Sequence, residues 1–326
     1  MKKLVSIIIP AFNAEKFIAA TLESVIAQTW QHWELIVVDD GSTDKTSAVV
    51  KEYARQHVGI KYFFQKNKGC SAAKNAGIQH ASGEFIQYLD ADDILSADKI
   101  EEQVKAIGNN GMKIAVCRTK VFANSIDEAG TTEIDTDFLF TTDDTLSFLL
   151  NLYGVNGKNG MIQPNAFLIS KQLAGKIGTY DISVSPSPDE DGEYFCRAIL
   201  AANGIVFTET GINYYRKQTH SKSSLSKQVS HRHASGALKS LQLILHHLLL
   251  AENSLRVKKT MSLHFANFIY LYSSYTDLCK EAETEIYRMG IKKIPVAGGK
   301  KIKRLAEIIG FGNAIKVKKL GNLLKK

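Results

Sequence analysis

The sequence predicts an α/β fold with a mostly parallel central sheet, helices on both faces and a helical C-terminal extension. Apolar runs alternate with amphipathic segments through the first hundred residues, which is typical of strands joined through helices. The alternation loosens after residue 118, and no strand pattern follows residue 231. Hydrophobic residues make up 44% of the 326 residues, which is enough for a substantial core and excludes a disordered chain.

The first strand is the continuous apolar run 4–9, as expected of a strand buried on both faces. Apolar residues at helical spacing then predict a helix over 14–28. The same alternation predicts strands at 34–38, 60–64, 84–89 and 113–116, and helices at 42–56, 71–80 and 96–107. Because helices connect these strands, we expect the strands to run parallel.

Residues 119–228 form a less regular second part. It contains helix patterns at 145–153 and 189–202, and strand patterns at 164–170, 205–208 and 212–216. The Ser/Lys-rich segment 221–230 indicates a loop. We therefore predict a domain of residues 1–228, with halves 1–118 and 119–228, followed by a helical region of residues 229–326.

The formal net charge of +8 is concentrated at the C-terminal end. Residues 291–326 hold eleven of the 41 basic residues and one of the 33 acidic residues, so this segment carries +10 and residues 1–290 carry −2. Within it, residues 298–326 contain two basic amphipathic helix patterns. They are compatible with attachment to an anionic membrane and also with packing of their apolar stripe on the body. A nucleic-acid partner is not expected, because the body is not basic and the tail has one aromatic residue.

The four cysteines lack the spacing of a zinc site or a disulfide framework. No run of about 18 apolar residues predicts a membrane-spanning helix. The N-terminal apolar run is interrupted by Pro10 and lacks the cleavage site of a signal peptide. The sequence therefore predicts a cytoplasmic protein, with peripheral attachment to the inner face of the membrane as an option.

Acidic residues follow two of the predicted strands. Asp39 and Asp40 end the second strand, and Asp90, Asp92 and Asp93 end the fourth. Ligands of open α/β sheets bind beyond the carboxyl ends of the strands. Carboxylates two positions apart in an extended segment point to the same side, and they suit a hard cation that bridges to phosphates. The alternative is that these acids only cap the following turns and helices.

Neither of the common glycine-rich phosphate loops follows the first strand. Instead, four segments resemble, in order and spacing, successive motifs of the family 2 inverting glycosyltransferases. They are Val5-Ser-Ile-Ile-Ile-Pro-Ala-Phe-Asn13, Val37-Val-Asp-Asp-Gly-Ser-Thr-Asp44, Asn67-Lys-Gly-Cys-Ser-Ala-Ala-Lys-Asn-Ala-Gly77 and Tyr88-Leu-Asp-Ala-Asp-Asp93. The resemblance covers about residues 4–225. It implies a GT-A fold, with a nucleotide-sugar half before an acceptor half, and a role in bacterial surface-polysaccharide assembly.

The resemblance also implies residues that bind the donor base and ribose. Four of them would line that pocket: Pro10, Ala11, Asn13 and Glu15. Asp40 would bond the uracil edge, with Gly41 and Ser42 shaping the adjacent turn.

Further implied roles concern the diphosphate. Asp90 would contact the ribose or the metal, Asp92 would ligate the Mg²⁺ or Mn²⁺ ion, and Asp93 would assist. Lys74 stands where the family often has arginine, so it would neutralise phosphate without a bidentate guanidinium.

A Tyr-Arg segment near residue 216 resembles a further family segment that covers the diphosphate. The matching candidates are Arg216 and His220, for which a surface-loop role is equally compatible. The other histidines after residue 230 lack Cys or carboxylate partners at ligand spacing, and we expect them to be solvated or to pack between helices.

An inverting transfer needs a base that deprotonates the acceptor hydroxyl as it attacks the anomeric carbon. Residues 188–197 resemble the family's acidic pair, which precedes a helix ending in arginine. The match implies Asp191 as the base and Glu190 as the second candidate. The alternative is a capping role, because helix N-termini favour carboxylates.

Together these features predict a metal-assisted, inverting hexosyl- or N-acetylhexosaminyltransferase. It would move a sugar from a nucleoside diphosphate, with UDP expected, to a hydroxyl of a glycan or lipid-linked acceptor. Two alternatives remain: a catalytically idle sugar-nucleotide-binding module and a nucleotidyltransferase of related architecture. The retained acids argue against the first, and the missing glycine-rich loop argues against the second.

Overall fold

The computed structural model describes residues 3–123, 126, 132–133, 137–158, 160–187, 189–217 and 230–323. The chain divides into two compact units. The first consists of residues 1–152, 159–182 and 194–221, and the second of residues 153–158, 183–193 and 222–326. The boundary predicted near residue 228 and the loop predicted over 221–230 lie almost wholly outside the described residues. Two short segments from before that boundary belong to the second unit.

A mixed sheet is the centre of the first unit. Its described strands are β1 (Val5–Ala11), β2 (Trp33–Asp39), β3 (Ile60–Phe64), β4 (Phe85–Tyr88), β5 (Ile94–Leu95), β6 (Lys113–Phe122), β7 (Thr132–Glu133), β8 (Phe167–Ser170) and β9 (Gly204–Arg216). The order is β3-β2-β1-β4-β8-β6-β9-β5, and β7 pairs with β6. The predicted strands are therefore present, and the α/β class is confirmed.

The strand directions divide this sheet. Strands β1 to β4 pair in parallel, and β6 is parallel to β9. Strand β8 is antiparallel to both β4 and β6, and β5 is antiparallel to β9. The sheet is thus parallel in its first half and mixed in its second. An apolar pattern marks a strand without fixing its direction, which is why the sequence did not predict the reversal.

Helices of the first unit cover both faces of the sheet. They are α1 (Ile18–Ile26), α2 (Thr46–Gln56), α3 (Cys70–His80), α4 (Lys99–Ile107), α5 (Thr145–Leu152), α6 (Lys171–Ile177) and most of α7 (Glu190–Ala201). Apolar residues of α1, α2 and α4 join one core cluster with Ile7 and Ile9 of β1. Ile8 points to the other face, where it contacts Gly77 of α3. The first strand is therefore buried on both sides, as its sequence predicts.

Some elements differ from the sequence prediction. The segment 164–170 begins with a 3-10 turn, Pro164–Ala166, before β8. The two strands predicted at 205–208 and 212–216 form one strand, β9, whose pairing with β6 shifts register between Cys117 and Arg118. Gly211, with a φ of +78°, accommodates this irregularity within β9.

The second unit is helical over residues 230–323. It contains α8 (His231–Ala251), α9 (Leu255–Leu271), α10 (Thr276–Arg288), α11 (Lys300–Ile309) and α12 (Phe311–Leu323). Ser230 and Ser254 cap α8 and α9 through their hydroxyls. Over the described ranges, no helix combines the length and the apolar character that crossing a bilayer requires. The predicted helical C-terminal region is present.

Candidate active site

The loops after β1 and β2 are joined by hydrogen bonds. The backbone N–H of Asn13 donates to Ser42 Oγ (3.0 Å), and Asn13 Oδ1 accepts from the N–H of Thr43 (2.8 Å). Glu15 accepts from the N–H of Lys45 (2.8 Å). These side chains tie two strand ends into one rim at the carboxyl edge of the sheet. The structure thus places Asn13, Glu15 and Ser42 on one rim; the family resemblance implies the first two in the base and ribose pocket and Ser42 in the adjacent turn.

An exposed aromatic ring lies on this rim. Phe12 directly follows β1, and 52% of it is exposed although most neighbouring apolar residues of β1 are buried. Flat aromatic faces are suitable surfaces for stacking a nucleobase. The sequence reasoning did not single out Phe12, because one aromatic residue beside a strand gives no periodic signal.

Asp40 is almost fully buried at the end of β2, with 3% of the residue exposed. Its carboxylate accepts hydrogen bonds from Gln65 Nε2 (2.6 Å), the N–H of Lys68 (2.8 Å) and the N–H of Gly69 (2.8 Å). A carboxylate offers about four acceptor positions. Asp40 therefore anchors the loop before α3 with three of them.

The neighbouring Asp39 shapes the turn that follows. Its carboxylate accepts from the N–H of Ser42 (2.8 Å) and from the Tyr62 hydroxyl (2.7 Å). Gly41 has φ of +79°, and a Cβ there would lie 2.8 Å from the backbone N of Asn67. Both the φ value and the close approach require glycine at this turn.

The three carboxyl groups that follow β4 have different surroundings. Asp90 and Asp92 are half-buried, whereas Asp93 is fully buried. Asp93 accepts from the N–H of Arg216 (2.7 Å) and from Asn165 Nδ2, while Asn165 Oδ1 accepts from the N–H of Asp90 (3.0 Å). Burial, together with the charges of Asp90 and Asp92, raises the pKa of Asp93 well above its usual range. Protein donors thus engage both oxygens of Asp93, and its predicted part in metal binding stays a prediction.

Arg216 lies beside these carboxylates at the end of β9. Its Nε donates to the carbonyl oxygen of Asp92 (2.7 Å), and a terminal nitrogen donates to that of Ala123 (3.2 Å). The guanidinium carbon lies 4.3 Å from the ring centre of Phe122 and 5.0 Å from that of Phe17. Burial lowers the Arg216 pKa, and the neighbouring acidic charges oppose that shift. Arg216 thus fixes the acidic loop, and His220 lies outside the described residues.

Lys74 is buried in α3, with 1% of the residue exposed. Its Nζ lies 5.2 Å from the ring centre of Tyr180. The Tyr180 ring stacks on Tyr194 at 3.9 Å, and Tyr88 packs edge-on against both rings. Asn75 fixes Tyr180 through two hydrogen bonds to its backbone, of 2.8 and 2.9 Å. The structure therefore gives Lys74 an aromatic environment.

A second acidic group occupies the first turn of α7, in the second unit. The carboxylate of Asp189 accepts from the N–H of Gly192, and a Cβ at Gly192 would lie only 2.2 Å from Asp189 Oδ1. Glu190 is buried and accepts from the N–H of Ser187 (3.2 Å), whereas Asp191 is half-buried. Asp189 is exposed on one side. Burial of its carboxyl group, together with the charge of Asp191, nevertheless raises its pKa to about 7. The cap is therefore Asp189, and the predicted base Asp191 is the more accessible member of its pair.

Helix α8 supports this acidic turn. Ser240 Oγ donates to the carbonyl oxygen of Asp189 (3.0 Å), and His247 Nε2 lies 3.1 Å from Oε1 of the buried Glu193. A Cβ at Gly236 would lie 2.4 Å from the carbonyl oxygen of Val184, so the helix backbone closely approaches the segment that leads into the turn. His247 therefore has a carboxylate partner that sequence spacing did not reveal.

Comparison with known proteins explains the motif order. The model of "Glycosyl transferase family 2" matches residues 6–175, which is more than half of the chain. The chain belongs to glycosyl transferase family 2. The UDP-Glc:α-D-GlcNAc-diphosphoundecaprenol β-1,3-glucosyltransferase of Escherichia coli is 38% identical over 122 residues, 37% of this chain and 48% of that protein. A putative teichuronic acid biosynthesis glycosyltransferase of Bacillus subtilis is 38% identical over 106 residues, 32% and 42% of the two chains. These matches thus span less than half of either relative.

Solved structures show the same fold along most of the family 2 chain. The S. aureus TarS fragment 1–349 in complex with UDP-GlcNAc has a TM-score of 0.66 at 19% identity, covering 98% of this chain and 92% of that one. A Pyrobaculum calidifontis mannosyltransferase in complex with GDP-Man and Mn²⁺ has a TM-score of 0.54 at 15% identity, covering 100% and 88%. The GT-A fold predicted from the sequence is confirmed.

The acidic loop after β4 has the metal ligands expected of a cation site that a substrate completes. Magnesium is commonly held by one or two carboxylates together with substrate phosphates. Asp90 and Asp92 are half-buried carboxylates of this kind. Among the described residues, no three acidic, histidine or cysteine side chains are arranged to hold a metal by themselves. The residues present therefore fit a cation that takes further ligands from a bound diphosphate.

The predicted site residues fall in both units of this family 2 chain. Those in the first unit are Pro10, Ala11, Asn13, Glu15, Asp40, Gly41, Ser42, Lys74, Asp90, Asp92, Asp93 and Arg216. The candidate bases Glu190 and Asp191 belong to the second unit. The sequence reasoning missed the residues that position these groups: Asn165, Asp189, Glu193 and His247.

Proposed function

We propose that the protein is an inverting glycosyltransferase that moves a sugar from a UDP-sugar to a hydroxyl of a glycan or lipid-linked acceptor. The observation that carries this proposal is the pair of half-buried carboxylates, Asp90 and Asp92, after β4 of a family 2 sheet. The names of a UDP-glucose-dependent relative and of a UDP-GlcNAc-bound structural neighbour support a UDP-sugar donor. Bacterial surface-polysaccharide assembly is the proposed setting, since the teichuronic acid relative is named for such a pathway.

The rim of the first unit would hold the nucleoside of the donor. Phe12 offers an exposed ring on which the base can stack. Asp40 has three of about four acceptor positions occupied, which leaves one for the imino proton of uracil. Asn13 and Glu15 hold the rim in place through the loop after β2.

Asp90 and Asp92 would hold the cation, Mn²⁺ or Mg²⁺. When bound, this cation neutralises the charge that develops on the UDP leaving group. Arg216 fixes the loop through the Asp92 carbonyl, and Asp93 fixes it through the N–H of Arg216 and the amide of Asn165. The mannosyltransferase neighbour with bound Mn²⁺ supports a divalent ion in this role.

Asp191 would act as the base. Its carboxylate takes the proton from the acceptor hydroxyl while that oxygen attacks the anomeric carbon and UDP leaves from the opposite face. Glu190 is a weaker candidate because it is buried against the N–H of Ser187. Asp189 caps α7, and Ser240 of α8 holds the Asp189 backbone, so both position the turn that carries Asp191.

The substitution Asp191→Asn tests the proposed base. It retains the size of the side chain but removes the proton acceptor, so we expect transfer to fall by about 10²–10⁴-fold. Binding of the UDP-sugar should remain within about twofold of the wild type, since the base acts on the acceptor and not on the donor. The measurements are UDP release with Mn²⁺ and a panel of UDP-sugars, and donor binding by calorimetry.

The matched control is Asp181→Asn, at a half-buried aspartate outside the acidic turn. Wild-type turnover by the Asp191 variant would refute the assignment of the base. Release of pyrophosphate instead of UDP by the wild-type protein would refute transfer itself.

A lipid-linked acceptor would place the enzyme beside the inner face of the membrane. We propose a peripheral location there, because residues 298–326 carry much of the charge excess of the chain.

A further inference from the structure

Several apolar residues of the basic tail, residues 291–326, are buried within the second unit. Ala306 of α11 and three residues of α12, Phe311, Ala314 and Ile315, are buried. Lys318 Nζ lies 3.8 Å from the ring centre of Tyr270 and also donates to the Tyr270 carbonyl oxygen. The inward side of the two helices is therefore at least partly covered by protein, whereas Ile308 and Val317 are exposed. A membrane contact made by burying that inward side in lipid would require the tail to detach.

The outward side of the tail is strongly basic. In the part of residues 291–326 whose burial the structure describes, seven cationic residues are exposed: Lys292, Lys293, Lys300, Lys301, Lys303, Arg304 and Lys316. Within the part of the chain that the structure describes, none of these seven forms an ion pair. Glu307 is the one acidic residue in the segment 291–326. Because these like charges repel one another and have few counter-charges nearby, binding of an anionic partner would reduce that electrostatic repulsion.

Exposed aliphatic side chains lie among these charges. Ile308 is 81% exposed, and it follows Lys301 by seven residues and Arg304 by four, which places the three on one face of α11. Val317 is 48% exposed and adjoins Lys316 on α12. A soluble polyanion gains little from contact with aliphatic groups. The headgroup–acyl boundary of an anionic bilayer favours both kinds of side chain.

We propose that the outward face of α11, with Lys301, Arg304 and Ile308 at its centre, docks on anionic phospholipid bilayers. The inward side stays packed, so attachment is electrostatic, reversible and aided by shallow insertion of Ile308. This inference rests on the proposed peripheral location but not on the proposed reaction. Each basic residue near an anionic surface strengthens binding by roughly fivefold, so a cluster of this size suffices for attachment.

Vesicle sedimentation with the full chain tests this face. One set of vesicles is phosphatidylcholine alone, and the other contains about one third phosphatidylglycerol. The variant K300E/K301E/R304E should bind the anionic vesicles at least about a hundredfold more weakly than the wild type. The control K239E/K259E/K280E makes the same change in charge at exposed lysines of α8, α9 and α10. Because it leaves the proposed face intact, its binding should stay within about fivefold of the wild type.

A second variant separates a bilayer from other polyanions. Ile308→Ser removes an exposed aliphatic group, so folding should be unaffected and binding to anionic vesicles should weaken about threefold or more. Binding to heparin should not change. Equal losses in the two triple variants, equal binding to neutral vesicles, or insensitivity of vesicle binding to Ile308→Ser would each overturn the proposal. Vesicle-free UDP release, measured on every variant, separates failure of docking from failure of the reaction.

Discussion

Asp90, Asp92 and Asp93 show how burial divides the roles of adjacent carboxyl groups. Asp93 is enclosed and bonded by the Arg216 N–H and the Asn165 amide, while Asp90 and Asp92 remain half-buried. The raised pKa of Asp93 follows from burial beside two acidic neighbours. Asp93 therefore organises the loop, while Asp90 and Asp92 are the residues proposed to hold the cation.

Asp189 carries a pH dependence of stability that a single substitution should remove. Its pKa is raised to about 7 in the folded protein, against an ordinary value of 3.8. Between these pH values the folded state binds more protons than the unfolded state, so this group lowers stability as pH rises from about 4 to about 7. Asn also caps helices well. Asp189→Asn should therefore keep the cap and lose this pH-dependent contribution.

Urea unfolding at pH 5 and pH 8 measures this effect. The variant should gain stability relative to the wild type on going from pH 5 to pH 8. Asp181→Asn serves as the control for removing a carboxylate outside the acidic turn. A stability difference between the Asp189 variant and the wild type that is the same at both pH values would contradict the assigned pKa.

Some residues of the candidate site could be predicted from the sequence, and others could not. Asp90 and Asp92 could be found because they follow an apolar run at the place where open sheets bind ligands. Asn165 could not, since it reaches Asp93 across 72 positions and belongs to no periodic pattern. His247 pairs with Glu193 across 54 positions for the same reason. Contacts made only by tertiary folding leave no local signal.

At the scale of elements, α3 packs closely on β1. Gly77 lies on the side of α3 that faces the sheet, and a Cβ there would lie 2.3 Å from Ile8 Cγ2. Ile8 is fully buried in β1. The loop that precedes α3 is held separately, by the hydrogen bonds that Lys68 and Gly69 donate to Asp40.

The substitution Gly77→Ala should therefore destabilise the protein through overpacking. Adding the methyl group forces Ile8 or the helix to move, at a cost of about 1–3 kcal/mol. The control is Gly175→Ala in α6, where a Cβ would meet no atom within 4 Å. Both substitutions gain roughly 1 kcal/mol of helix propensity, so that gain cancels in the comparison. Urea unfolding should show Gly77→Ala less stable than Gly175→Ala by about the overpacking cost, and equal stabilities would contradict the close packing.

Elements were predicted where the pattern was long. The run that became β1 and the amphipathic patterns of α2 and α4 span several residues, so their periodicity is unambiguous. The two-residue strand β5 is too short to show a period. Helix α6 was missed because it starts directly after β8, without an intervening loop to mark the change.

At the scale of the whole molecule, the proposed site residues are divided between the two units, although the sequence predicts a single domain of residues 1–228 that contains them all. The matched family region ends at residue 175, and the turn with Asp191 belongs to the second unit together with α8. Ser240 and His247 are the α8 residues whose side chains bond that turn. The helical region is thus part of what positions the proposed base, as well as the carrier of the basic tail.

Truncation separates these two contributions. A chain of residues 1–228 lacks α8, so the turn that carries Asp191 loses its bonds to Ser240 and His247. We expect this chain to retain UDP-sugar binding, because the rim and the acidic loop belong to the first unit, and to lose at least about tenfold of its transfer rate. A chain of residues 1–290 keeps α8, α9 and α10 and should transfer sugar to a soluble acceptor near the wild-type rate. Donor binding and circular dichroism identify a truncated chain that has failed to fold. Full transfer by residues 1–228 would show that α8 does not position the base.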